Sequence, residues 1–164
     1  MKLPITPCLW FNREAEAAAR HYVSIFDQAR ITGISHYPDT GQETHGMPAG
    51  TVLTVEFELR GRPFTALNGG PLFKFNEAAS LQVFCETQEE LDYYWQRLGE
   101  GGDPAAQQCG WLKDRYGLSW QITPSMLPPM MKDPDPARVK RVMAAFMPMK
   151  KLDIEALKRA YAQH

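Results

Sequence analysis

"CGWLKDRYGLSWQITP", residues 109–124, decides how the rest of the chain is read. Two strand-like runs, each carrying a tryptophan, flank a polar turn at Asp114-Arg115-Tyr116-Gly117. The second run alternates. Leu118, Trp120 and Ile122 fall on one face of a strand, and Ser119, Gln121 and Thr123 on the other. One face is made for a core. The other is polar but uncharged, and it meets either solvent or a ligand.

Working outward, the same pattern recurs. Residues 80–85 (SLQVFC) set Leu81, Val83 and Cys85 against Ser80, Gln82 and Phe84. Between these strands, Thr87-Gln88-Glu89-Glu90 is a capping box, in which hydroxyl and carboxylate satisfy free amides at a helix start. Leu91, Tyr94, Trp95 and Leu98 give that helix one apolar face, and Gly99 ends it. A further strand is expected near 105–113.

An earlier copy of this order precedes it. Residues 5–11 read as a strand, Asn12 can cap a helix over 14–26, and a second strand fits 29–37. Ala15, Ala19, Tyr22, Val23 and Phe26 form the helix stripe. Residues 38–50 read as loop by their Pro, Gly and Asp content. In the strand 51–60, Leu53, Val55, Phe57 and Leu59 oppose Thr54, Glu56 and Glu58, and Gly61-Arg62 turns it into a strand at 63–68. Strand–helix–strands twice in about 120 residues predicts an α+β domain with helices on one face of the sheets. Ser80, Gln82, Ser119, Gln121 and Glu56 then share the other, concave face.

Residues 126–164 differ in kind. Asp135-Pro136 caps a helix through about Met147, and Asp153 caps another, with Leu152 and Leu157 as a hydrophobic staple. Six of the eight methionines lie here, and the segment is expected to pack on its own domain or to cover a pocket. Its eight Lys and Arg exceed its four Asp and Glu, whereas the whole chain has a net charge of -1. That balance argues against a dedicated nucleic-acid binder, and Arg138, Lys140, Arg141, Lys150 and Lys151 read as a solvated helix face.

At 164 residues, 44% hydrophobic and 23% charged, the chain is long and apolar enough for one globular domain. Cys8, Cys85 and Cys109 are odd in number and widely spaced, which fits neither a disulfide framework nor a zinc site. Cys8 and Cys85 read as small hydrophobes in apolar strands. "MKLPITPCLW" lacks the apolar run of a signal peptide, and no later run could span a bilayer, so the expectation is a cytoplasmic protein without a membrane partner.

Signals of chemistry are sparse. His21, His36, His45 and His164 show no metal-ligand spacing, although His36 and His45 bracket a loop across which they could meet. There is no G-x-S-x-G, and Cys109 reads as structural. Gly69-Gly70 and Gly101-Gly102 sit in no strand–turn–helix cradle for a dinucleotide or S-adenosylmethionine. Glu56 is the carboxylate of interest: it either meets solvent or, desolvated in the concavity, serves as a general base.

"LTVEFEL", "ALNGGPLFKFNEA", "LQVFCETQEELDYYW" and "CGWLKDRYGLSWQITP" resemble the PhnB-like branch of the vicinal oxygen chelate superfamily, the glyoxalase, bleomycin-resistance and dioxygenase proteins. That branch often carries the label 3-demethylubiquinone-9 3-methyltransferase. The resemblance covers residues 3–125 and implies paired βαβββ modules, about 3–70 and 79–125, followed by a helical C-terminal extension at 126–164. It also implies a homodimer with a small-molecule pocket. Metal-using members carry a His/Gln–Glu–His–Glu set. Here Gln121 matches the last position, Ser80 the second-module His, nothing suitable stands near Pro7, and the fourth position lies near Ala66 or Asn68. The resemblance therefore implies a metal-free, cofactor-free pocket. Asn68, Gln82 and Gln121 would orient the ligand, and Phe84 and Trp111 would pack against it, with Ser80 beside them. Binding or sequestration is the leading expectation. A lyase or isomerase with Glu56 as base is the alternative, and no residue supports methyl transfer.

Overall fold

The structure is a computed structural model that describes residues 5–163, so His164 lies outside the described residues. The chain forms two compact units, Met1–Phe75 and Asn76–His164. Each carries one small sheet with helices, which makes the fold α+β.

The first unit runs β1 (Cys8–Phe11), α1 (Ala15–Val23), β2 (Arg30–His36), α2 (Gln42–His45), β3 (Val52–Leu59) and β4 (Arg62–Asn68). Its sheet order is β1-β4-β3-β2, with β1 parallel to β4 and the other pairs antiparallel. Leu9, Phe11, Val55, Phe57, Leu59 and Ala66 are buried on the side covered by Ala15, Ala18, Ala19 and Tyr22 of α1. Two expectations change here. Residues 38–50 contain the single helical turn α2, set between Gly41 and Gly46, both in the left-handed region. Cys8 is exposed rather than buried, because it alternates with Leu9 and Phe11 and falls on the opposite face.

The second unit runs β5 (Leu81–Cys85), α3 (Gln88–Gly99), β6 (Trp111–Lys113), β7 (Ser119–Pro124), α4 (Leu127–Met130), α5 (Pro136–Phe146) and α6 (Ile154–Ala162). The sheet order is β5-β7-β6, with β5 parallel to β7 and β6 antiparallel to it. Val83, Cys85, Leu112, Trp120 and Ile122 are buried against Leu91, Tyr94 and Leu98 of α3. Thr87 caps α3 by accepting from the Glu90 amide, and the Glu90 carboxylate accepts from the amide of Glu86, one residue earlier than a capping box places it.

The strand expected over 105–113 shrinks to β6. Pro104–Ala106 form a 3-10 turn, and Gln108–Trp111 close a tight turn whose central residues, Cys109 and Gly110, have φ of 51° and 83°. Two consecutive positive φ values are the signature of a type I′ turn and end extended structure. The second unit is thus βαββ where the first is βαβββ.

The tail docks at this turn. The amides of Cys109 and Gly110 donate to the carbonyls of Met149 and Lys150, both at 2.7 Å. The Gln88 side chain donates to the Leu152 carbonyl and accepts from the Ile154 amide, and Lys151 pairs with Asp92. Leu152 and Leu157 are buried as the staple required, and the caps at Asp135 and Asp153 form.

Candidate functional site

Register assembles the polar face of the second sheet. Gln82 pairs with Gln121, which pairs with Trp111, so one residue from each of the three strands forms a row. Paired residues project to the same side of a sheet, so the row lies opposite the α3 face. Trp111 is therefore a polar-face residue, a point its sequence position leaves open.

The Gln121 amide is fixed at both ends. Its nitrogen donates to the Ser80 hydroxyl at 2.8 Å, and its oxygen accepts from the Gln82 amide at 3.3 Å. Ser80 and Trp111 are half-buried, Gln82 is exposed, and Phe84 is 42% exposed one step farther along β5. The structure thus brings Ser80, Gln82, Gln121 and Trp111 together, with Phe84 beside them. Their donors and acceptors are neutral amides and hydroxyls around an indole and a phenyl ring, a lining that orients a small molecule by hydrogen bonds and apolar contact.

Glu56 sits on the corresponding face of the first sheet. It is exposed on β3 between Gly33 of β2 and Thr65 of β4, and Thr65 in turn pairs with Cys8. Its carboxylate leans over Gly33, where an added Cβ would stand 2.7 Å from Oε2.

Asn68 does not join a ligand face. It pairs with buried Phe11, which places its side chain on the helix side of the sheet, and it is 3% exposed. Its oxygen accepts from the Ala15 amide at 2.9 Å, and its nitrogen donates to the Val52 carbonyl at 3.0 Å. Asn68, rather than Asn12, satisfies the start of α1, whose N-cap residue Glu14 makes no side-chain cap bond. A residue from the far end of the module caps the helix, which local sequence reading does not find.

The histidine pair does not meet in a ligand set. His45 is tied into its own loop: Nδ1 accepts from the Met47 amide, Nε2 lies 3.2 Å from the Thr40 carbonyl, and the ring lies tilted against Tyr37. Among the described residues, no group of three or more His, Cys, Asp or Glu side chains could hold a metal ion. The positions that bear metal ligands in metal-using members do not fit one here either. Pro7 offers only a carbonyl that accepts from Thr65, the Asn68 amide is bonded to backbone, and Ser80 and Gln121 are neutral groups, the Gln121 nitrogen donating to the Ser80 oxygen.

Lys113 and Glu77, which sequence reading leaves out, border the row together with Ser119, which it places on the same face. Lys113 alternates with Trp111 on β6 and pairs in register with Ser119, so both share the polar face. The Lys113 ammonium is ion-paired with Glu77, from the turn before β5. That hydrogen bond is the main reason the Glu77 carboxyl is held below its usual range. Strand parity is the signal for Lys113 and Ser119; Glu77, in a turn, has none.

The family profile described as "3-demethylubiquinone-9 3-methyltransferase" matches residues 4–123. Among solved structures, the chain is 37% identical to a "Putative 3-demethylubiquinone-9 3-methyltransferase, PhnB protein, from Bacillus cereus", over 73% of this chain and 97% of that one, with a TM-score of 0.61. A Staphylococcus aureus protein is 27% identical over 74% of this chain and 96% of its own, with a TM-score of 0.33. A glyoxylase/bleomycin resistance protein/dioxygenase domain from Frankia sp. EAN1pec is 16% identical over 73% and 90%, with a TM-score of 0.44. No curated protein matches the chain. The match over 4–123, together with the identity to the Bacillus cereus protein, shows that the chain belongs to the 3-demethylubiquinone-9 3-methyltransferase family, in its PhnB-like branch.

Proposed function

We propose that this protein binds a small organic molecule on the polar face of its second sheet and holds it without a metal ion or other cofactor. The row Gln82–Gln121–Trp111, with Gln121 fixed by Ser80, is the observation that carries this reading. Such a face matches hydrogen-bonding groups and flat apolar surface on a ligand, and it contains no activated nucleophile. Sequestration or carriage, rather than turnover, is the function it supports best. The family label names a methyl transfer, for which the chain's glycine pairs supply no cradle.

The test is a thermal-shift screen of metals and metabolites, since whatever binds only the folded form raises its apparent stability. Metabolite hits that vanish in Gln121→Ala support the reading. A full equivalent of nickel, zinc or iron in the purified protein overturns its metal-free part.

A second reading rests on Glu56, whose carboxylate lies over Gly33, a residue with no side chain of its own. As the general base of a lyase or isomerase it would make Glu56→Gln lose turnover while keeping ligand affinity. A pure binder shows no turnover to lose. We further propose a cytoplasmic homodimer that needs neither nucleic acid nor membrane. Cys8, Cys85 and Cys109 as thiols suit a reducing compartment, and sedimentation at micromolar concentration tests the dimer.

A further inference from the structure

Ser119 carries a buried hydroxyl that hydrogen bonding among the described residues leaves unused. It is 1% exposed, and its hydroxyl has no hydrogen-bond partner among the described residues. A buried hydroxyl left unmatched costs about 1–3 kcal/mol, so its persistence calls for an occupant or a role.

Register fixes its surroundings. Ser119 pairs with Lys113 across β6 and β7, and the pairing of Leu81 with Trp120 sets Ser80 beside it on the β5 side. Ser119, Lys113, Ser80 and Gln121 therefore occupy one end of the polar face. The Lys113 side chain is 26% exposed, whereas its partner Glu77 is 64% exposed. A half-buried lysine side chain, whose register partner carries an unpartnered hydroxyl, is thus ion-paired with a carboxylate from a solvent-facing turn.

We propose that Lys113 and Ser119 form a subsite for the carboxylate of an organic ligand, with Glu77 occupying Lys113 as an internal stand-in that the ligand displaces. The proposal rests on the reading that this face binds a small molecule, and it names the ligand class. Glu77 shows that a carboxylate reaches the ammonium from the open side. One ammonium and one hydroxyl match a single negative charge, the ammonium answering the charge and the hydroxyl donating to the second oxygen. Displacement is easy because an ion pair with one exposed partner is worth about 0–1 kcal/mol. The exchange is non-covalent: the Glu77 carboxylate leaves for water as the ligand carboxylate arrives, and no proton moves.

The experiment is calorimetric titration of the full-length protein with benzoate, its neutral isostere benzamide, and phenylphosphonate. Benzoate is expected to bind at least about tenfold more tightly than either of the others, the difference one charge-assisted hydrogen bond makes. Lys113→Met and Ser119→Ala each weaken benzoate by about tenfold on the same basis. Glu77→Gln, on an exposed turn, tightens benzoate several-fold and leaves benzamide unchanged. A merely structural ion pair gives no such gain, so benzoate affinity unchanged by Glu77→Gln overturns the proposal. Benzamide bound as well as benzoate, with both lost in Gln121→Ala, also overturns it while the binding face stands. Preference for phenylphosphonate overturns the carboxylate in favour of a phospho-ligand. No binding of any probe to wild type or Glu77→Gln overturns the subsite and counts against the binding face as well.

Discussion

Asp114 is 3% exposed and organises the turn between the two tryptophan strands. One oxygen accepts from the amides of Tyr116 and Leu118, and the other from the Trp120 indole at 2.8 Å. Gly117, with φ of 83°, supplies the left-handed position the turn needs. Asp114→Ala removes all three bonds and leaves buried donors unmatched, so a loss of about 3 kcal/mol in urea unfolding is expected. Two glycines offer a contrast at the same scale. A Cβ on Gly102 would stand 1.9 Å from the Lys113 carbonyl oxygen, which is backbone and cannot swing away. On Gly33 it would meet the end of the Glu56 side chain, which can rotate. Gly102→Ala should lower stability by about 1–3 kcal/mol and Gly33→Ala by no more than about 0.5, as thermal unfolding of the two variants will show.

Among elements, α1 and α6 are held by unlike devices. The start of α1 depends on the Asn68 amide, so Asn68→Ala should cost about 2 kcal/mol of stability through two lost buried bonds. Its ligand affinity should stay unchanged, since the side chain lies on the helix side of the sheet. At α6, Tyr161 donates to the Asp133 carboxylate, while Arg138 lies near Asp133 and over the Tyr161 ring. Chiefly through the Tyr161 bond, the Asp133 pKa is lowered. A carboxyl whose folded pKa is depressed stabilises the fold above its unfolded pKa, about 3.9, and loses that contribution as pH falls through the lower folded value. Acidification below about pH 4 should therefore loosen α6. Tyr161→Phe should move the onset to higher pH, which circular dichroism during an acid titration would detect.

For the whole molecule, the question is what the tail does for the second unit. Residues 147–150 supply carbonyls to the turn at Cys109 and Gly110, and Cys109 Sγ lies 3.1 Å from the Met147 carbonyl. Val142, Leu152, Ile154 and Leu157 are buried. These tail residues, read in sequence as part of an extension to a domain at 1–125, thus contribute to the second unit's core. A chain ending at Ser125 loses that burial, about 1.5–3 kcal/mol for each large side chain. We expect it to be recovered mostly as aggregate, with the remainder unfolding at markedly lower urea than the full chain.

The sequence alone determined the two strand–helix–strand orders, the buried faces and the helix caps at Thr87, Asp135 and Asp153. These follow from alternation, periodicity and side chains that bond backbone a few residues away, all of which are local. The same parity placed Ser80, Gln82 and Gln121 on one face. Tertiary structure alone decided the rest. It turned Asn68 from a ligand-face candidate into the cap of α1, set Trp111 beside Gln121, and replaced the expected strand at 105–110 with a turn held by the tail. Each of these depends on partners tens of residues apart, whose pairing is set by sheet register and packing, and no local pattern encodes it.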